Sequence, residues 1–216
     1  MPKTLPDIIY NKTNITPILD AKSSYYNIPF FKDDEYFSNY ESYINFVKSI
    51  EKTVRHHDKY RKYISYLKNE VKLNKCQVLK DITDSDADIE MHHGPIFTLF
   101  DICAIVLEYF MIKKWKITTF RVADVVLDEH LKNRVQVVMV SKTVHEEIHN
   151  GDIFINYKQA YGNLPEFIKK YKDAISDDYR EQINRYIDKS LLKSSDFGIL
   201  ELNKALLKKP INKKEE

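Results

Sequence analysis

The chain has 216 residues, 43% of them hydrophobic and 12% aromatic, which excludes a disordered composition and allows a sizeable buried core. Its net charge of +2 is too small to indicate nucleic-acid binding by itself. The low glycine content argues against a turn-rich all-β fold, and two cysteines without a CxxC pattern exclude a cysteine zinc ribbon.

The first third of the chain divides into two parts. Residues 1–35 hold several prolines and no regular apolar period, which predicts an extended N-terminal arm. In residues 36–75 apolar side chains recur at helical spacing, which predicts either one long helix or two helices with a break near His57. Lys and Arg outnumber acids here, so residues 36–75 are predicted to be a helical basic region.

Residues 76–160 form the predicted centre of the fold. Short strands are predicted at residues 75–82, 89–93, 135–140 and 152–157. Two apolar helices are expected in an insert at residues 96–134, and Ser141 is expected to cap a short helix that ends at Gly151. The apolar spacing in residues 161–216 predicts C-terminal helices followed by a tail. The predicted class is α+β, mostly helical, with a small antiparallel hairpin and a short helix embedded in it.

Four of the seven histidines lie in two short segments, "EMHHGP" and "KTVHEEIHNG". His145 and His149 are four residues apart, so on a helix their rings share one face and could bind one metal ion. His92 and His93 are adjacent, and neighbours on a strand point to opposite sides. One of that pair could therefore bind a metal ion while the other stays free as a base, a division that suits phosphodiester cleavage.

The order Glu-x-His-His on a strand, a second strand and His-x-x-x-His on a short helix resembles the HNH, or ββα-metal, nuclease family. The similarity is greatest to the colicin-like variant with an all-histidine metal site, and it covers residues 89–95 and 135–151. It implies that His92, His145 and His149 bind one divalent ion (Zn, Mg or Mn). It further implies that His93 is the general base and that Glu90 positions the site.

The central asparagine of that family has no direct counterpart in this chain. Gln136 occupies its usual place, and the nearest asparagine is Asn133, three residues earlier. Either side chain could hold the loop that carries His93. His130, close by in "LDEHLKN", is expected to be exposed on a helix.

The resemblance implies a metal-dependent endonuclease that hydrolyses phosphodiester bonds, with DNA as the first expected partner, RNA as the second, and no membrane association. The alternative is a non-catalytic structural or interaction protein that retains the same scaffold. A purely structural zinc site is a third interpretation. The Lys-, Ile- and Asn-rich composition suits an AT-rich genome, and we expect a cytoplasmic protein of a bacterium, or of a phage in its host.

Overall fold

The computed structural model describes residues 30–79 and 81–191. Most of the predicted arm and all of the predicted tail beyond residue 191 lie outside the described residues. The elements, in chain order, are α1 (Asp34–Ser38), α2 (Tyr40–His56), α3 (Asp58–Asn69), β1 (Ile89–His93), α4 (Leu99–Ile112), α5 (Thr119–Leu131), β2 (Val137–Ser141), α6 (Lys142–Asn150), α7 (Leu164–Tyr171) and α8 (Asp177–Leu191). The predicted class, α+β and mostly helical, is confirmed.

Helix boundaries follow local capping chemistry. The break between α2 and α3 falls at His57, whose backbone is extended and whose Nδ1 accepts a hydrogen bond from Lys59 N at 3.0 Å. Helix α4 begins with a capping box, because the Thr98 hydroxyl accepts from Asp101 N while the Asp101 carboxylate accepts from Thr98 N. These side chains satisfy amides that the first turn of a helix leaves without a partner.

The sheet has two antiparallel strands, with Ile89 opposite Ser141 and His93 opposite Val137. All five residues of β2 are buried. Both faces of the hairpin are therefore covered, which explains why β2 is continuously apolar rather than alternating. Helix α6 follows β2 directly and contacts both strands. The core continues through α4, where eight of the 14 residues are buried.

Two predicted strands are wrong. Among the described residues 75–79 and 81–82, the first predicted strand is reduced to an isolated bridge between Lys75 and Thr83. There, Gln77 contacts β2 with both its main chain and its side chain: Gln77 N donates to Met139 O at 2.8 Å, and Met139 N donates to Gln77 Oε1 at 2.6 Å. The side-chain oxygen of Gln77 thus accepts the Met139 amide hydrogen that a strand carbonyl would otherwise accept. The segment therefore contacts β2 without forming a ladder of backbone hydrogen bonds.

The second wrong prediction covers residues 152–157. This segment is irregular and leads into a single 3₁₀ turn, Tyr157–Gln159. The turn begins there because the Asn156 and Gln159 side chains cap each other's backbone amides. The chain reaches the sheet only at Tyr161, which forms an isolated antiparallel bridge with Val137.

Candidate metal site

Three of the predicted site histidines lie together. His92 comes from β1, and His145 and His149 come from consecutive turns of α6. Each offers one ring nitrogen, and these three nitrogens lie within 4.8 Å of one another. The helical spacing of four residues puts the α6 rings on one face, and the contact between α6 and β1 brings His92 to them.

A carboxylate orients the middle ring of this histidine triad. His145 Nδ1 lies 2.7 Å from Glu90 Oε2 and donates to it, which leaves the His145 Nε2 lone pair free. That nitrogen is 3.1 Å from His149 Nε2. Two imidazoles on one tetrahedral zinc ion are roughly 3.3 Å apart, given bonds of about 2.0–2.1 Å. The residues therefore fit a transition-metal ion, with Glu90 as the outer carboxylate.

Burial keeps His92 in the form that binds metal. Its side chain is only 8% exposed. Loss of hydration, followed by the nearby His145 and His149 rings, lowers the pKa of His92 to about 4. A neutral imidazole has a free lone pair at physiological pH, and metal ligation requires that lone pair.

The histidine triad lines a cavity of about 150 Å³. Glu51 and Arg55 of α2, whose side chains form an ion pair at 2.7 Å, line the same cavity. So do His93 of β1 and the start of α4, at Thr98, Leu99 and Phe100. Nothing in the sequence indicated that Arg55 lies near the histidines, because its surroundings predicted only a basic face of a helix.

His93 points to the other side of β1, as expected for a strand neighbour. Its Nε2 lies 2.9 Å from Nε2 of His130, and its ring stacks on Tyr60. Both histidines are buried, at 5% and 0% exposure, so the expectation of an exposed His130 is wrong. The polar sequence around His130 concealed this, because its contact partner lies 37 residues away.

The two candidates for the family asparagine take up backbone roles. Gly94 N donates to the Gln136 carbonyl at 3.3 Å, so the Gln136 main chain holds the residue after His93. Within the described part of the chain, neither amide atom of the buried Gln136 side chain has a hydrogen-bond partner. Asn133 adopts a positive φ of 53°, and its carbonyl accepts from Asn163 N at 2.7 Å.

A buried antiparallel hairpin, a histidine-bearing helix and a shell of helices define a mainly helical α+β protein. The chain belongs to the family of bacteriophage G278-like virion proteins, whose family model matches residues 4–216. No curated protein and no solved structure matches it.

The family match corrects the identification as an HNH nuclease. It extends over nearly the whole chain and describes a virion protein, whereas the nuclease resemblance rested on residues 89–95 and 135–151. The endonuclease function is therefore wrong, and the structural alternative agrees with the family better. The catalytic roles of His93, Glu90, Gln136 and Asn133 were implied only by that resemblance, and we do not assign them.

The expected cytoplasmic location is also wrong, because the family is one of proteins of the phage particle. The phage origin itself agrees with the family. As a virion protein, the chain assembles with other virion proteins. Among the described residues, every helix is too short or too polar to cross a membrane.

Proposed function

We propose that this virion protein is a structural component of the phage particle whose hairpin and α6 are cross-linked by one divalent metal ion. The observation that carries the proposal is the histidine triad, His92, His145 and His149, with ring nitrogens within 4.8 Å of one another. Glu90 supports it by orienting His145. The proposal keeps the predicted metal ligands and leaves out catalysis.

The donor set favours zinc among the metals considered. Imidazole nitrogens suit zinc, whereas Mg²⁺ and Mn²⁺ prefer oxygen ligands. When bound, the ion supplies a fixed link between parts of the chain that are about 50 residues apart in sequence. Such a link stabilises the folded state, because a preformed site is rare in the unfolded chain.

The partners that we propose are virion proteins rather than DNA. Two cations of the helical basic region are already offset by acids. Lys59 pairs with Asp124, and Arg61 pairs with Asp58. Because counterion release on DNA requires unpaired cations, these pairs weaken the argument for phosphate contacts.

Metal analysis of the purified full chain tests the proposal. After dialysis against a weak chelator, we expect one zinc ion per chain, and zinc should raise the unfolding temperature. His145→Ala and His149→Ala should each lose the ion. His56→Ala is the matched control, since His56 is also helical but exposed and distant from the triad in sequence. Zinc retention by the double variant His145→Ala/His149→Ala at the wild-type level would overturn the metal site.

The same substitutions can be placed in the phage. Particles with His145→Ala should contain less of this protein, or lose it at lower temperature, than particles with His56→Ala. Quantitative mass spectrometry of purified particles measures this. Equal content and equal heat loss in the two particle types would show that the ion has no role in the assembled virion.

A further inference from the structure

The histidine triad leaves a metal ion incompletely coordinated. Zinc sites in proteins are four-coordinate, and three histidines fill three positions. The three ligands line the same partly open cavity of about 150 Å³, so a fourth ligand could approach the ion from this cavity. What fills the fourth position depends on the other groups that line the cavity. The inference below therefore rests on the metal site proposed above.

Arg55 contributes a positive charge to the cavity, from a side chain that is 49% exposed. Its Nε and Nη2 both donate to Glu51 Oε1, at 3.1 and 2.7 Å. Glu51 lines the cavity too and offsets part of the charge. An arginine has five N–H donors, so this pair leaves Nη1 and one Nη2 hydrogen for another acceptor. A guanidinium recognises carboxylate and phosphate oxygens particularly well.

The N-terminus of α4 adds partial positive charge to the same cavity. Leu99 and Phe100, the first two residues of this 14-residue helix, line the cavity. The amides of a first turn have no acceptor within the helix, and the capping box uses Thr98 for Asp101 N only. The aligned peptide dipoles favour an anion at this end.

We propose that a small oxyanion occupies this cavity, with one oxygen at the open metal position and another hydrogen-bonded to Arg55. The cavity is below the roughly 300 Å³ of typical organic-ligand sites, so only a compact group fits. A carboxylate or inorganic phosphate has the required size and charge. It is either a free ion or the side chain of an acidic residue on a neighbouring virion protein.

Cobalt substitution of the full chain makes the open position visible. Co²⁺ at the triad has absorption bands that change when an exogenous ligand binds. We expect acetate or phosphate to change these bands with saturation. Arg55→Gln should weaken that binding about tenfold or more while leaving cobalt stoichiometry unchanged. Arg61→Gln is the control. Arg61 lies on α3, where it pairs with Asp58 of the same helix, and it does not line the cavity.

The outcomes separate the two proposals. If no cobalt binds, the metal site itself fails. If cobalt binds but acetate and phosphate leave its spectrum unchanged, the metal site stands and the oxyanion site is overturned. Equal anion affinity in Arg55→Gln and wild type also overturns it.

A blocked peptide with one glutamate, compared with the same peptide carrying glutamine, distinguishes the two sources. Binding of only the glutamate peptide supports a partner side chain. Binding of free ions but of neither peptide supports a free ion. Equal binding of both peptides overturns the oxyanion chemistry.

Discussion

His93 and His130 form a buried imidazole pair, with their Nε2 atoms 2.9 Å apart. His130 Nδ1 lies 2.7 Å from the Val126 carbonyl and must donate to it, so His130 Nε2 is an acceptor. His93 Nε2 therefore carries a proton and donates it. Burial lowers the pKa of His130 to about 4 and that of His93 well below its ordinary value, which keeps both rings neutral. The pair joins β1 to α5.

His130→Leu should destabilise the protein by about 2–3 kcal/mol, because it leaves the buried His93 N–H without an acceptor. Chemical denaturation at pH 7 measures this. His56→Leu is a close control, since His56 Nδ1 makes the same contact to a carbonyl four residues earlier but is exposed. The control should cost less than about 0.5 kcal/mol. Zinc content should be unchanged in both variants, and equal stability of the two would contradict the structural role of the pair.

Glu90→Gln should weaken zinc binding about 10–100-fold without abolishing it, because the outer carboxylate raises the basicity of the His145 ligand and orients it. Competition with a zinc-sensitive dye measures the affinity. Glu146→Gln removes the same charge from an exposed position next to His145 and serves as the control. If both variants bind zinc equally well, long-range charge rather than the contact to His145 accounts for any effect.

Glu108→Gln should stabilise the protein at pH 7. Burial raises the pKa of Glu108 above its ordinary value of 4.5, and a hydrogen bond from Tyr43 only partly opposes this. Tyr179 of α8 also faces the carboxyl. A raised pKa means that the contribution of Glu108 to stability is fully present below pH 4.5 and is lost as the pH rises through the folded-state pKa.

The gain from Glu108→Gln should therefore disappear as the pH falls towards 4.5. Urea unfolding at several pH values measures it. The exposed Glu166, changed to Gln, should show no comparable gain at pH 7. A Glu108→Gln variant that is less stable than wild type at neutral pH would show that the Tyr43 bond outweighs burial.

Local spacing predicted part of the candidate site but not the function. His145 and His149 share a helix face by periodicity alone. His92 lies on β1, and its place beside them was implied only by the resemblance to the nuclease family. The function could not follow, because histidines in a hairpin and helix serve catalytic and structural metal sites alike. The family match over residues 4–216 overturned the nuclease function.

Long-range contacts explain the other errors. His130 looked exposed because its flanking residues are polar, and its partner His93 is 37 residues away. Residues 75–82 looked like a strand, but Gln77 uses its side chain to contact Met139, 62 residues later. Neither contact has a local signal. In contrast, the bounds of α6 followed from local signals: Ser141 is its N-cap residue and Gly151 its left-handed C-cap, as predicted, although the Ser141 side chain makes no capping hydrogen bond.

Gly162→Ala should be strongly destabilising, by about 3 kcal/mol or more. Gly162 has φ of +122°, and a Cβ there would lie 2.1 Å from the backbone oxygen of Val135. This contact lies next to the bridge between Tyr161 and Val137, so relief would displace the end of β2. Gly151→Ala is the control: its φ is +85°, but a Cβ would meet nothing within 4 Å. Gly151→Ala should lower the free energy of unfolding by about 1 kcal/mol. Equal unfolding temperatures of the two variants would contradict the backbone clash at Gly162.

Glu129→Gln should destabilise the protein by about 2 kcal/mol or more, because Glu129 is a fully buried carboxylate shared by three donors. Lys170 forms a short ion pair with it, the Tyr171 hydroxyl donates to it at 3.1 Å, and Arg134 lies 3.4 Å away. Glutamine keeps an acceptor for Tyr171 but leaves both cations without a countercharge where α5 meets α7.

Asp128→Asn is the matched control for this prediction. Asp128 is the preceding residue on α5, it is 45% exposed, and its partner Lys132 lies 3.7 Å away. An exposed pair of this kind contributes less than about 1 kcal/mol. Urea unfolding at pH 7, at low and high salt, compares the two variants. The loss in Glu129→Gln should persist in high salt because the carboxylate is shielded from solvent ions, whereas any loss in Asp128→Asn should shrink. A salt-sensitive loss of similar size in both variants would mean that Glu129 acts as a surface charge despite its burial.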